Sequence, residues 1–298
     1  MIVKMAMTMQ NFQKLSKINT MENKEKIREV LQSIYDNSFD LKRFDQSLIE
    51  KIGCIRSMAQ YGLTLVKPSP EEIEIDMCKE DPIYFIEKYI TINTPSSGRI
   101  PFILYDWQKD FINNTQKESR IFVKKPRQVG FTTIQCAYLV WKFLFTEKQS
   151  IVVMSHNLNS NENIRKIIYE MLDNCSLVDK NIFRTINRSF ISTNSGNSID
   201  FISVSSKGSS VRGKSFSTIF IDECEFINSS IIECIYPCLY TKGSQFIVGS
   251  TSGIYSWSNI LNWYILKVKW DSVPGRDIKW LINKVKEIGV DAVERELI

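Results

Sequence analysis

Residues Arg120–Thr133, RIFVKKPRQVGFTT, constrain this chain more than any other stretch. Ile121–Lys124 reads as a short buried strand, a loop with Pro126 and Gly130 follows, and Thr132-Thr133 opens a helix running through AYLVWKFLF. Strand, tight loop and helix N-terminus together make a phosphate cradle. Unpaired backbone N–H groups and the positive end of the helix dipole converge there on one anion. Against the pattern G-x-x-x-x-G-K-[ST], Gly130 fills the second glycine and Thr132 the hydroxyl that holds Mg²⁺. Two positions depart from it: Lys125 stands at the first glycine and Phe131 at the lysine. A strand–turn–helix is also an ordinary connection, so the reading depends on what lies downstream.

Downstream, Ser150–Ser155 (SIVVMS) is a continuous apolar run, as expected of a parallel strand buried on both faces. Asn159–Asp173 follows with helical periodicity, and Ser189–Thr193 with Ser198–Val204 reads as a hairpin around 194–197. Thr218–Ile221 is the next buried strand and delivers Asp222 and Glu223 at its carboxyl end, where open α/β sheets bind ligands. Two adjacent acids there fit a division of labour, Asp222 holding a hydrated metal ion and Glu223 polarising a water, although acids at such a position also cap helices. A further strand, Gln245–Gly249, ends in Ser250-Thr251-Ser252-Gly253, whose hydroxyls suit a γ-phosphate or a metal-bound water. Beyond it Ser256–Tyr264 reads as a helix, Ile265–Trp270 as a strand and Ile278–Ile288 as a basic helix. The alternation implies an α/β fold with a mainly parallel central sheet flanked by helices.

The geometry of the loop itself places its cation. Pro126 biases Lys125 towards an extended backbone, which continues the strand and lets the side chain fold across the loop. Lys124 precedes it in the strand and points to the opposite face. Upstream, Asn93–Gly98 reads as a polar loop, and a helix capped by Asp106 carries Gln108, whose amide offers the donor and acceptor that an adenine edge needs.

Residues 1–77 read as a helical, polar lead-in, with periodicity over Asn23–Asp36 and Leu48–Leu63, and Lys67-Pro68-Ser69-Pro70 marks a boundary. The compact domain is expected over 78–298. With 43% hydrophobic residues the chain can bury a large core, and 38 Lys+Arg against 33 Asp+Glu leave a mild basic excess compatible with nucleic acid. The longest apolar run, Ala137–Phe145, is short and interrupted by Lys142, so no membrane span is expected. The N-terminus lacks the pattern of a signal peptide. Seven cysteines without a C-x-x-C pair and one histidine, His156, make a zinc site improbable and read as reduced core residues of a cytosolic protein.

Several of these segments, EDPIYFIEKY, YDWQKDFI, KKPRQVGFTT, SSVRGKSFSTIFIDECEFI, GSTSG and the W-x3-PGRD-x2-W element from Trp270 to Trp280, occur together. The combination resembles the ATPase domain of the large terminase subunit of tailed bacteriophages. The resemblance implies a P-loop NTPase fold of the RecA-like class and Mg²⁺-dependent ATP hydrolysis driving double-stranded DNA into a procapsid. It implies Gln108 in adenine recognition. Lys125, Pro126, Arg127, Gln128, Val129, Gly130, Phe131, Thr132 and Thr133 correspond to the Walker A loop, with Lys125 substituting for the missing lysine. Asp222 corresponds to Walker B, Glu223 to the catalytic carboxylate, and Ser250, Thr251 and Ser252 to the coupling motif. Arg127 and Arg212 are candidates for the arginine that meets the γ-phosphate, in cis or from a neighbouring subunit; Arg212 equally suits a DNA phosphate. The partners implied are a portal protein, a small terminase subunit and copies of the chain in a ring, in the host cell cytoplasm. Complete large terminases carry a C-terminal nuclease, which this chain is expected to lack. A helicase-like DNA-dependent ATPase and a non-hydrolysing structural relative are the rival readings.

Overall fold

The computed structural model describes Gln32, Ser57, Gln60 and residues 69–204, 214–228, 231, 235–239, 243–251 and 262–297. The helices expected over 23–36, 48–63 and 256–264 therefore fall almost entirely outside the described residues. The chain divides into two compact units, Met1–Ile75 and Asp76–Ile298. Helix α1, Pro70–Glu80, begins in the first, where Ser69 and Glu72 exchange reciprocal capping hydrogen bonds at 3.1 and 2.8 Å. Among the described residues no helix is long and apolar enough to cross a membrane.

The second unit is built on an eight-stranded sheet whose order is β10-β3-β9-β8-β4-β7-β6-β5. Its strands are β3 (Arg120–Lys124), β4 (Ser150–Ser155), β5 (Phe183–Ile186), β6 (Phe190–Thr193), β7 (Ser198–Ser203), β8 (Thr218–Ile221), β9 (Gln245–Ser250) and β10 (Tyr264–Lys267). The neighbours from β10 to β7 run parallel, and β6 and β5 add an antiparallel edge. A separate ribbon, β1 (Thr91–Thr94) with β2 (Gly98–Pro101), replaces the polar loop expected at 93–98. The helices are α2 (Pro82–Tyr89), α3 (Asp106–Thr115), α4 (Phe131–Phe145), α5 (Leu158–Asn174), α6 (Ile278–Ile288) and α7 (Val290–Leu297). Asp106 sits in the first turn of α3 rather than capping it; Tyr105 is the N-cap residue.

Strand alternation sorts the core into two layers. Ile121, Val123, Ile151, Val153, Phe220 and Ile247 pack on one face with α2 to α5. Phe122, Val152, Met154, Ile219, Ile221, Phe246 and Val248 pack on the other with Ile231, Ile235 and Trp263. Helix α4 lies against the first face and is buried almost along its whole length, which explains why its sequence is apolar all round. The expected α/β architecture, a mainly parallel sheet between helices, is the one observed. All five described cysteines are buried.

Alternation along β8 then fixes the site. Phe220 faces α4, Ile221 faces away, and Asp222 comes back to the α4 side at the strand's carboxyl end.

Candidate phosphate-binding site

The loop from Lys125 to Gly130 joins β3 to α4. Gly130 caps the helix with φ 86° and ψ 19°, a left-handed conformation that a side chain would strain. A Cβ there would also come within 3.0 Å of Gln108 Nε2. Gln108 is only 1% exposed. Its Nε2 donates to the Gly130 carbonyl at 3.3 Å, and its Oε1 accepts the Tyr105 N–H at 3.0 Å. The structure thus sets Gln108 beneath the loop as a strut between α3 and the cap of α4. The first-turn N–H groups of α4, from Phe131 to Thr133, lack intrahelical partners and open towards the strand ends.

Lys125 is 8% exposed and continues the strand direction, its N–H donating to the Ser250 carbonyl at 3.0 Å. Its ammonium stands 3.5 Å from Asp222 Oδ1 and 3.5 Å from Thr251 Oγ1. The Thr132 hydroxyl donates to the other carboxylate oxygen, Asp222 Oδ2, and the Glu223 N–H donates to Oδ1 at 2.9 Å. Asp222 is therefore the point where the phosphate loop, the acidic strand and, through Lys125, the Ser250-Thr251 segment meet. Thr251 is held in turn by its N–H, which donates to Glu225 Oε1 at 3.2 Å. Glu223 departs from the strand in a left-handed conformation, φ 53° and ψ 48°, and keeps its side chain 40% exposed. Such a backbone costs a non-glycine residue on the order of 1–3 kcal/mol, and it swings the carboxylate out of the sheet.

Phe131, at the position where the pattern puts a lysine, is a core residue, 2% exposed. Its ring meets Phe111 edge-on at 5.7 Å and leans on Phe220 at 6.0 Å. It lies on Gly249, where a Cβ would stand 2.2 Å from Phe131 Cε1. The Lys125 ammonium sits 5.6 Å from the centre of that ring. The aromatic ring and the glycine thus form a matched pair, and the cation enters the loop from its other end.

The tip of the loop is held by the C-terminal helices. The Arg127 N–H donates to the Glu296 carbonyl at 2.8 Å, and its guanidinium pairs with the Glu296 carboxylate at 2.5 Å. Arg276 donates to the Gln128 carbonyl at 2.7 Å and lies 4.6 Å over the Trp280 ring, which stacks on Trp270. Partial burial draws the Arg276 pKa down from its usual value. Gln128, with φ 58°, is turned outward between these contacts, while Pro126 and Val129 are buried. Beside the acids, burial above all, with Glu225 adding to it, pushes the Cys224 thiol up to about 12, so it packs as an apolar group.

Of the residues singled out from the sequence, Lys125, Thr132, Asp222, Glu223, Ser250 and Thr251 come together at the carboxyl ends of β3, β8 and β9. Arg127 faces α7 instead, and Arg212 and Ser252 lie outside the described residues. The sequence reading passed over Gly249, Glu225 and Glu296. It weighed His156 only as a metal ligand. A strand end is a visible signal for His156 and Glu225, but nothing local marks Glu296.

A mainly parallel sheet, a phosphate loop between β3 and α4, and an acidic pair on β8 define a fold of the P-loop NTPase class. Residues 122–252, the segment that carries the site, match the family model described as the terminase large subunit, T4likevirus-type, N-terminal. Among solved structures, the large terminase of bacteriophage HK97 superposes with a TM-score of 0.58 at 16% identity, covering 74% of this chain and 54% of that one. The large terminase of a thermophilic bacteriophage, solved in complex with ADP, gives 0.53 at 12%, covering 65% and 52%. The ATPase domain of the large terminase of Thermus phage P74-26 gives 0.55 at 14%, covering 66% and 93%. These likenesses establish the fold, and the chain spans about half the length of the first two.

Proposed function

We propose that this chain is the ATP-hydrolysing motor part of a phage large terminase, in which residues 78–298 form the ATPase domain behind a helical lead-in, 1–77. Its role is to couple hydrolysis to the movement of double-stranded DNA into a procapsid, in a ring seated on a portal protein and served by a small terminase subunit, in the host cytoplasm. The observation that carries the reading is the convergence of the Lys125 ammonium and the Thr132 hydroxyl on Asp222 at the open end of the sheet.

The donor set suits Mg²⁺. One hydroxyl and one carboxylate, both hard oxygen ligands of the kind Mg²⁺ prefers, adjoin each other beside a helix N-terminus. Thr132 and Asp222 would hold the ion, which when bound neutralises phosphate charge and polarises the phosphoryl group. The N–H groups from Gln128 to Thr133 bind the phosphates of ATP. Lys125 supplies the loop's cation, so that Phe131 need not. Glu223, exposed at the mouth of the site, orients a water and takes its proton. Ser250 and Thr251, bonded to Lys125 through backbone and side chain, sense the phosphate through that lysine, with Ser252 beyond them. Gln108 serves the base end of the nucleotide by fixing Tyr105 and Gly130. Arg127 and Arg212 are the cations that answer transition-state charge, Arg127 once it leaves Glu296.

Steady-state turnover of Mg-ATP, with and without double-stranded DNA, tests the reading. Glu223→Gln is expected to keep nucleotide affinity and lose about 10²–10⁴-fold in kcat. Absence of turnover in the wild-type protein with DNA present would make the chain a non-hydrolysing relative, and strand displacement would make it a helicase.

A further inference from the structure

We infer that His156 is a positioning residue for Glu223, holding that carboxylate through an N–H whose place on the ring is dictated by the cap of α5. The inference rests on reading Glu223 as the base. His156 follows the last residue of β4, and β4 is the neighbour of β8, so the ends of the two strands lie side by side. Asn157 is the N-cap of α5. Its Oδ1 accepts the Ser160 N–H at 2.8 Å, which settles which end of the amide is oxygen. The other end, Nδ2, is then a donor and faces His156 Nε2 within hydrogen-bond range. A ring nitrogen that receives an N–H carries a lone pair, so in the neutral imidazole the proton belongs on Nδ1.

Nδ1 is buried and has no hydrogen bond among the described residues. It stands 3.6 Å from Glu223 Oε2. A buried N–H without an acceptor is costly, and the carboxylate opposite it is the group that relieves the cost when the side chain moves a few tenths of an ångström inward. The ring is kept in place by Phe226, centroid to centroid 4.9 Å, on the short helical turn that follows Glu223. The loop behind it is tied by the Ser155 hydroxyl, which donates to the Asn157 carbonyl at 2.9 Å. The line Ser160–Asn157–His156–Glu223 therefore links the start of α5 to the carboxylate, which would otherwise swing freely at the mouth of the site. His156 touches neither nucleotide nor water in this scheme. It acts by restricting where Glu223 points.

Two substitutions separate positioning from packing. His156→Phe keeps a ring against Phe226 but has no donor, while His156→Asn keeps a side-chain N–H at the place of Nδ1. The expected result is a kcat lower by about 10–100-fold in His156→Phe, with KM and the Kd for a non-hydrolysable ATP analogue unchanged, and recovery of most of the loss in His156→Asn. Equal losses in the two variants, or wild-type kcat in His156→Phe while Glu223→Gln is inactive, would overturn the inference and leave the base in place. Wild-type turnover in Glu223→Gln would instead remove the base reading itself. In a Glu223→Gln background, His156→Phe should cost nothing more, because both substitutions disable one unit. A further loss there would show that His156 acts through another group.

Discussion

Two lysines, each 8% exposed, sit at opposite ends of the same sheet, and both belong to the β3–α4 segment. Lys125, at the carboxyl ends of the strands, faces the Asp222 carboxylate at 3.5 Å. Lys142, in the last turn of α4, donates at 2.6 Å to the Gln245 side-chain oxygen, which also accepts the Tyr138 hydroxyl at 2.9 Å. Gln245 in turn donates to the carbonyls of Thr115 and Glu118. Burial pushes the Lys142 pKa down to about 8 and the Tyr138 pKa up to about 12. Equal exposure thus accompanies different chemistry. An amide oxygen offsets only part of the desolvation of an ammonium group, whereas a carboxylate beside a helix N-terminus makes a charged site that an anionic ligand can enter. The first arrangement closes the bottom of the sheet. The second leaves charge at the top.

The comparison is broken most directly by exchanging function for structure at each end. Lys125→Ala is expected to lower Mg-ATP turnover by about 10²–10³-fold, the effect of removing one preorganised donor to transition-state charge. Lys142→Met should leave turnover close to wild type. Near-normal activity in Lys125→Ala would return the role to Lys124 or to a cation from another subunit.

The pH dependence of stability sharpens the Lys142 side. Its folded pKa, about 8, lies below the unfolded value of 10.5, so in between the unfolded chain holds a proton that the fold does not. Stability from this group therefore rises with pH from about 8 towards 10.5, by on the order of 3 kcal/mol in full. Tyr138 acts in the opposite sense from pH 10 to about 12, where the fold keeps its proton and the unfolded chain has lost it. The buried Cys136, Cys175 and Cys224 thiols, all raised by burial, lower stability with pH in the same range, equally in wild type and Lys142→Met. The difference in urea midpoint between the two proteins should therefore grow in favour of wild type from pH 8 to 9.5. Parallel curves would mean that Lys142 stays charged in the fold.

Gly249→Ala tests why the upper lysine comes from the start of the loop. The added methyl would stand 2.2 Å from the Phe131 ring, and overpacking of this kind costs about 1–3 kcal/mol. Denaturant unfolding should show that loss in the wild-type background and a smaller one in Phe131→Leu. The smallest effect is expected from Lys124→Ala, on the opposite strand face. Its turnover should stay close to wild type, with any change confined to stability or solubility.

Legibility in the sequence followed the range of the interactions. The strand, loop and helix around Gly130, the buried runs 150–155 and 218–221, and helix 278–288 were readable because period and turn chemistry act within a few residues. The strand expected over 265–270 ends at Lys267 and gives way to a helical turn at Trp270–Ser272. Ribbon β1–β2 and strand β5 were missed, since short edge strands carry little periodic signal. Helix α7, which supplies Glu296, was missed as well.

By itself, then, the sequence determined which residues end strands and which start helices, and so that Lys125, Thr132, Asp222 and Glu223 would each stand at an element's end. Backbone hydrogen bonding, proline bias and strand alternation are local and leave few choices there. Only the tertiary structure decided the lateral order of the strands. It put β9 between β3 and β8, bringing Thr251 to Lys125 across 126 residues, and β4 beside β8, bringing His156 to Glu223. It also turned Arg127 towards Glu296 and gave Phe131 a seat on Gly249. Such pairings depend on how whole layers bury their apolar faces, a balance summed over distant residues that no short window of sequence contains.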